Sequence, residues 1–331
     1  MMKFVIDNAI PFIQGVLEPF AEVVYCPGEG FSPSIVADAD ALIIRTRTLC
    51  NRELLEGSKV QFIATATIGF DHIDLDYCHN HNITVTTAAG CNARGVLQWV
   101  AATLVTLAQR ENFTPSERTL GIVGVGNVGK LVKEYAEHWG FRVLCCDPPR
   151  QAAENLDFIS LEELIPQVDI LTFHTPLNST TRGMIDSHAL ESLRHGATII
   201  NASRGEVIKT DALLRDDITC AIDVWENEPN ISPELLSKAI VATPHIAGYS
   251  VQGKANATAI AVRALAAYFS LPLSDWYPEG VEICAPQIID WQTLTQTINN
   301  YCDTAAQSAP LKNGGDFEQL RNSYTFRKEY F

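Results

Sequence analysis

Thr119-Leu120-Gly121-Ile122-Val123-Gly124-Val125-Gly126-Asn127-Val128-Gly129-Lys130-Leu131 is the stretch on which the fold turns. A short apolar strand runs into Gly124-x-Gly126-x-x-Gly129 and then into a helix-like segment. The first glycine permits a tight turn, the second lets backbone approach a pyrophosphate, and the third lets the helix pack closely on the strand. Unpaired N–H groups at the helix start then face the phosphates, so Gly124, Gly126, Asn127, Val128 and Gly129 are the expected nucleotide loop. The next apolar run, residues 141–146, ends in Asp147. A carboxylate there accepts bonds from the adenosine ribose hydroxyls and repels a 2'-phosphate, which predicts NAD rather than NADP.

The same residues also spell Gly124-x-x-x-x-Gly129-Lys130, most of a nucleotide-triphosphate loop. That loop needs Ser or Thr next, as a magnesium ligand, and Leu131 cannot serve. A bare strand-to-helix turn is disfavoured by the strand before, the helix after and the acid at the next strand end.

Working outward, 331 residues predict about two domains, each able to bury a core. At 47% apolar and 19% charged, the composition is that of a soluble globular enzyme. The balance of 24 basic against 39 acidic residues, a net charge of -15, argues against a nucleic-acid or anionic-membrane surface. An anionic substrate must therefore find a locally basic pocket. Nine cysteines without a CxxC pair fit reduced thiols in a cytoplasmic protein. Asp7 interrupts the first apolar run, so neither a signal peptide nor a membrane span is expected. Cys78, His79 and His81 have no second cluster to complete a metal site, and a solvated loop is expected there.

Short apolar runs at residues 4–6, 41–44, 61–64 and 83–85 alternate with more polar, helix-like segments, a parallel α/β layout. Leu97, Val100, Leu104 and Leu107 fall at helical spacing over residues 93–110. Further strands are expected at 170–173, 197–201, 220–224 and 239–242, giving a doubly wound sheet. A second long helix is expected over 252–269, returning the chain to the first domain, and helices over 291–306 and 317–327. The expected domains are 1–92 plus 246–270, then 93–245, then a small C-terminal module, 271–331.

Three strand ends in the second half carry polar residues: Asn201-Ala202-Ser203-Arg204-Gly205, Asp223-Val224-Trp225-Glu226-Asn227-Glu228-Pro229 and Thr243-Pro244-His245-Ile246-Ala247-Gly248-Tyr249. Open α/β sheets place ligands at such ends. Arg204 offers a planar fork for a carboxylate and the oxygen beside it. His245 can take a hydroxyl proton and return it, and Glu228 can stabilise its imidazolium. Singly, each reads as a surface or loop residue; jointly, on three consecutive strand ends beside a dinucleotide loop, they mark a site.

These strings, with Arg45-Thr46, residues 64–74, Gly90-Cys91-Asn92-Ala93, Cys146-Asp147-Pro148-Pro149-Arg150 and Leu171-Thr172-Phe173-His174-Thr175-Pro176-Leu177, resemble the D-2-hydroxyacid dehydrogenases over nearly the whole chain. The resemblance implies a Rossmann-type NAD domain, a flavodoxin-like substrate domain and a C-terminal dimerisation module, to which residues 317–324 are similar. It implies that Arg204, Glu228 and His245 are catalytic, and that Asp147, Thr175, Ala202, Ser203, Arg204, Asp223 and Gly248 contact NAD. Thr46, Thr67 and Tyr249 would contact substrate. The CDPPR, TFHTPL and TPHIAGY strings resemble those of a subfamily acting on a phosphorylated 2-hydroxy acid, a small anion that Arg45, with Arg47 or Arg94, would meet. The triad alone marks the wider family, so a D-3-phosphoglycerate or hydroxypyruvate-type dehydrogenase stays open, as does an NAD-sensing corepressor with the same three residues. Gln98 stands where the family often has glutamate, Lys209 replaces an acid, and the C-terminal module looks short, which bears on the expected homodimer.

Overall fold

The computed structural model describes residues 1–154 and 157–331. Contacts divide the chain into two compact units, Met1–Asn92 with Val251–Ile283, and Ala93–Ser250 with Cys284–Phe331. Each is a parallel sheet flanked by helices, the expected α/β class.

The first unit holds β1 (Lys3–Asp7), β2 (Glu22–Cys26), β3 (Ala41–Ile44), β4 (Phe62–Thr65) and β5 (Thr84–Thr87), in the order β2-β1-β3-β4-β5. This 2-1-3-4-5 order is that of flavodoxin-like sheets. Central β3 and β4 are buried at every position, which is why they read as unbroken apolar runs. Strand β2, absent from the expected set, is an edge strand paired with β1, exposed or half-buried over residues 22–25 and buried at Cys26. The helix Val251–Phe269 belongs to this unit and presses Ala261, Val262 and Leu265 into a core with Phe4, Ile43 and Phe62.

The second unit holds β6 (Thr119–Val123), β7 (Arg142–Cys146), β8 (Ile170–Phe173), β9 (Thr198–Asn201), β10 (Thr219–Ile222) and β11 (Val241–Ala242), in the order β11-β10-β9-β8-β6-β7. From β6 the chain steps outward to β7 and then returns across to β8. The switch point therefore lies at the carboxyl ends of β6 and β8, where such sheets open a crevice. The helix Ala93–Glu111 is buried on almost all sides, Trp99, Ala101 and Val105 as well as the expected stripe. The C-terminal helix Thr304–Lys312 covers it, which an amphipathic pattern does not anticipate.

That tail departs from expectation in three ways. Residues 271–331 are not one module by contact: 271–283 pack with the first unit and Cys284–Phe331 with the second. The helix expected over 291–306 is two, Trp291–Thr297 and Thr304–Lys312, because Asp303 caps a fresh start by accepting the Ala306 N–H at 2.9 Å. The helix expected over 317–327 ends at Asn322. The tail also closes the sheet: the Ala242 N–H on edge strand β11 donates to Ser308 Oγ at 2.9 Å. Fully buried Gln98 pins its end, donating through Nε2 to the carbonyls of Tyr301 (3.2 Å) and Lys328 (3.1 Å) and accepting the Tyr330 N–H (2.9 Å). A glutamate at 98 could not donate twice, so the departure from the family's usual acid is matched to this tail.

Candidate active site and nucleotide site

The turn after β6 is shaped by what cannot fit. Gly124 sits at φ +86°, and a Cβ there would lie 2.8 Å from the His174 carbonyl oxygen; one on Gly129 would lie 2.0 Å from the Gly124 oxygen. A Cβ on Gly126 meets nothing within 4 Å, which leaves that edge open for a ligand to approach backbone. The loop is held from the next strand end. Asp147 Oδ2 accepts the Val125 N–H at 2.7 Å, and Arg150 Nη1 donates to the Val125 carbonyl at 2.6 Å. Asp147 and Arg150 thus have a structural task besides any ribose contact, a task carried by the CDPPR string. Just beyond β8, Thr175 Oγ1 is buried without a hydrogen-bond partner among the described residues, beside the Gly124 position. An orphaned hydroxyl beside an open glycine turn suits a nucleotide.

After β9, Asn201 organises the turn by accepting the Ser203 N–H (3.0 Å) and hydroxyl (2.8 Å) on Oδ1 and donating to the Arg204 carbonyl (2.9 Å). Gly205 follows because a Cβ there would lie 2.0 Å from the backbone carbonyl of Trp225. The Arg204 turn is thereby pressed against the loop after β10. Arg204 itself donates Nη1 to the Ser203 carbonyl at 2.7 Å.

On that loop, Glu228 Oε1 accepts the Trp225 N–H at 2.8 Å and Oε2 lies 2.8 Å from His245 Nδ1. Burial pushes the Glu228 carboxyl up, but the His245 ring and the Trp225 N–H outweigh it and hold it below its ordinary value of 4.5. A carboxylate on Nδ1 fixes the neutral ring with its proton there and leaves Nε2 bare. His245 sits at φ +57°, a left-handed conformation that costs a non-glycine residue about 1–2 kcal/mol.

What holds it there is a buried scaffold. Asp223, 1% exposed, accepts the Thr243 hydroxyl (2.6 Å) and Ile246 N–H (2.8 Å) on Oδ1 and the Ala247 N–H (2.9 Å) on Oδ2. Its desolvation raises the carboxyl, offset in part by His245 and these donors. From the other side the buried Arg327 donates to the carbonyls of Ile246 (3.1 Å), Ala247 and Gly95 (2.9 Å). Trp99 and Trp225 also donate from their indoles to Thr243, at 3.1 and 2.9 Å. Of these, Trp99, Trp225, Thr243 and Arg327 carried no local signal of a role in the site. Ala202, Gly248 and Tyr249 lie on the same two turns, half-buried.

The first unit carries the remaining candidates. Arg45 pairs with the fully buried Asp7 at 3.1 Å, Arg47 with Glu29 at 2.5 Å, and Thr67 shares a 2.6 Å hydrogen bond with Thr65. Thr46 is exposed. Arg94, in the second unit, donates to the Cys284 carbonyl at 2.6 Å. Cys78 and His79 lie on the helix Leu75–Asn80, with His81 as its cap, rather than on a loop, and the His81 ring stacks on Tyr77. Among the described residues no three His, Cys, Asp or Glu side chains could together hold a metal.

Residues 93–247 match the D-isomer specific 2-hydroxyacid dehydrogenase, NAD binding domain. The chain belongs to the D-isomer specific 2-hydroxyacid dehydrogenase family, and its cofactor is NAD. Among curated relatives, the erythronate-4-phosphate dehydrogenase of Bacteroides fragilis (strain YCH46) is 47% identical, over 99% of this chain and 97% of its own. That of Escherichia coli O157:H7 is 37% identical, over 99% and 92%. Among solved structures, the NAD+-bound 3-phosphoglycerate dehydrogenase of Entamoeba histolytica superposes with a TM-score of 0.67 at 27% identity, covering 81% of this chain and 95% of that one. The D-lactate dehydrogenase of Aquifex aeolicus, at 24% identity and a TM-score of 0.65 over 81% and 95%, shares the fold.

Proposed function

We propose that this chain oxidises 4-phospho-D-erythronate to 2-oxo-3-hydroxy-4-phosphobutanoate with NAD, a step of pyridoxal 5'-phosphate synthesis. The observation that carries the reading is the 2.8 Å His245–Glu228 pair beside the Arg204 turn, in a chain 47% identical throughout to an erythronate-4-phosphate dehydrogenase. His245 Nε2 takes the C2 hydroxyl proton, and Glu228 holds the imidazolium that results. Arg204 binds the carboxylate and the developing C2 carbonyl. NAD, when bound, accepts the hydride that leaves C2. Its pyrophosphate would lie on residues 124–129, its ribose on Asp147, and the rest on Thr175, residues 202–204, Asp223 and Gly248. Arg45, Thr46, Thr67 and Tyr249 are the proposed substrate contacts.

The protein is further proposed to be a cytoplasmic homodimer. Exposed Ile288 and Tyr301, the latter stacked on Tyr330 yet still exposed, offer apolar surface in the tail for a second copy. No helix among the described residues is long and apolar enough to cross a membrane. A panel of phosphorylated and unphosphorylated 2-hydroxy acids, with NAD and with NADP, tests substrate and cofactor together. The expected outcome is NADH formation with 4-phospho-D-erythronate and negligible rates with NADP. Faster turnover of D-3-phosphoglycerate or D-glycerate would overturn the substrate.

A further inference from the structure

The tail helix Phe317–Asn322 brings a cation to the residues just described. Arg321 donates Nε to Tyr249 Oη at 3.2 Å, its one hydrogen bond among the described residues. No carboxylate there lies within ion-pair distance of it. Glu228 and Glu318 are near enough to be felt electrostatically, but neither forms an ion pair with it, and the two oxygens of Glu228 are taken by Trp225 and His245. A half-buried guanidinium without a paired anion has charge to spare for a ligand, whereas the other arginines in the candidate set are engaged: Arg45 by Asp7, Arg47 by Glu29 and Arg94 by a carbonyl.

The side chain is also held in place. Phe317 is buried in the core at the start of the helix. Beyond its end Tyr324 accepts from Gln307 (3.0 Å) and from Arg327 (3.1 Å), and Arg327 grips the turn that follows His245. Arg321 therefore rides on the same scaffold as the histidine. With Nε spent on Tyr249, both Nη groups remain, the fork that fits two oxygens of a phosphate.

We propose that Arg321 binds the phosphate of the substrate, with Tyr249 orienting its guanidinium, and so selects the phosphorylated acid over its unphosphorylated counterpart. The assignment rests on the reading of the site given above, in which Arg204 takes the carboxylate. It gives the tail a part in substrate choice besides its packing.

The test is kcat/KM of the full-length protein and its Arg321→Gln and Arg321→Lys variants on 4-phospho-D-erythronate and on D-erythronate, with NADH affinity and thermal midpoint measured alongside. Arg321→Gln is expected to lose roughly 10- to 100-fold on the phosphorylated acid, mostly in KM, and less than about 3-fold on D-erythronate. Arg321→Lys keeps the charge without the fork and is expected to fall between the two. An equal loss on both acids, or no loss on either, overturns the assignment. If Arg321→Gln does not fold, Arg321→Lys decides by the same ratio. If the unmodified protein instead prefers D-3-phosphoglycerate, the substrate reading fails, and Arg321 is scored on that acid against D-glycerate.

Discussion

Two turns of the second unit use opposite means to build a site. The turn after β6 works by leaving side chains out: two glycines are fixed by collisions their Cβ atoms would make, and the third leaves its edge open. The turn after β11 works by filling space with buried polar groups. Asp223 takes its N–H groups, Arg327 takes its carbonyls, and together they hold His245 in a left-handed conformation. Both are held by an aspartate at the end of a neighbouring strand, Asp147 on Val125 and Asp223 on Ile246 and Ala247. The difference is in what each turn offers a ligand. The first presents bare backbone, suited to a pyrophosphate. The second presents one side chain, the imidazole of His245, which is the proposed proton acceptor.

If that division is sound, the two functions separate by mutation. His245→Ala removes the proposed proton acceptor and leaves the glycine turn intact, so kcat is expected to fall about 1000-fold while NADH affinity stays within about 3-fold. Loss of NADH binding in stopped-flow fluorescence would break the division. Gly129→Ala is the converse. Its methyl would lie 2.0 Å from the Gly124 oxygen, so the turn must open. NADH affinity is expected to weaken about 100-fold by fluorescence titration, on the scale of an overpacked core site. Unchanged affinity would mean that the turn is more plastic than its packing indicates.

The same contrast explains what could be read from the chain. A requirement for absent side chains at fixed spacing is local, so Gly124, Gly126 and Gly129 declared themselves, as did Asp147 at the next strand end. The strands were legible wherever they run as apolar stretches, the half-exposed edge strands β5 and β7 included; β2, another edge strand, begins on the exposed Glu22 and was passed over. Arg204, Glu228 and His245 were legible as polar interruptions at strand ends. Their scaffold was not: Arg327 reaches the turn from 80 residues away, and Gln98 grips a carbonyl 230 residues on. No periodicity relates such partners. The division of the tail at Asp303 was within reach, since an aspartate before a fresh helical run is a capping signal.

The smallest predicted effect separates the turns by pH. His174 follows β8, its carbonyl against Gly124 and its Nε2 at 3.1 Å from Thr172 Oγ1, and burial lowers its pKa from 6.5 to about 3. The folded form resists the proton that the unfolded chain accepts below 6.5. The stability contributed by neutral His174 is therefore complete above pH 6.5 and is lost as pH falls toward 3. Glu228, depressed below 4.5, contributes stability that is complete above 4.5 and is lost only as pH falls below it. Between pH 6.5 and 5 the histidine beside the first turn should respond and the carboxylate of the second should not. His174→Gln is expected to reduce the loss of unfolding free energy between pH 7 and 5 by about 1–2 kcal/mol, read from urea unfolding at both pH values. Glu228→Gln should not reduce that difference, because it removes the carboxylate that stabilises the His245 imidazolium in the folded state. Equal slopes in the parent and His174→Gln would show that His174 takes its proton in the folded state, and the wall behind Gly124 would then be wetter than its burial implies.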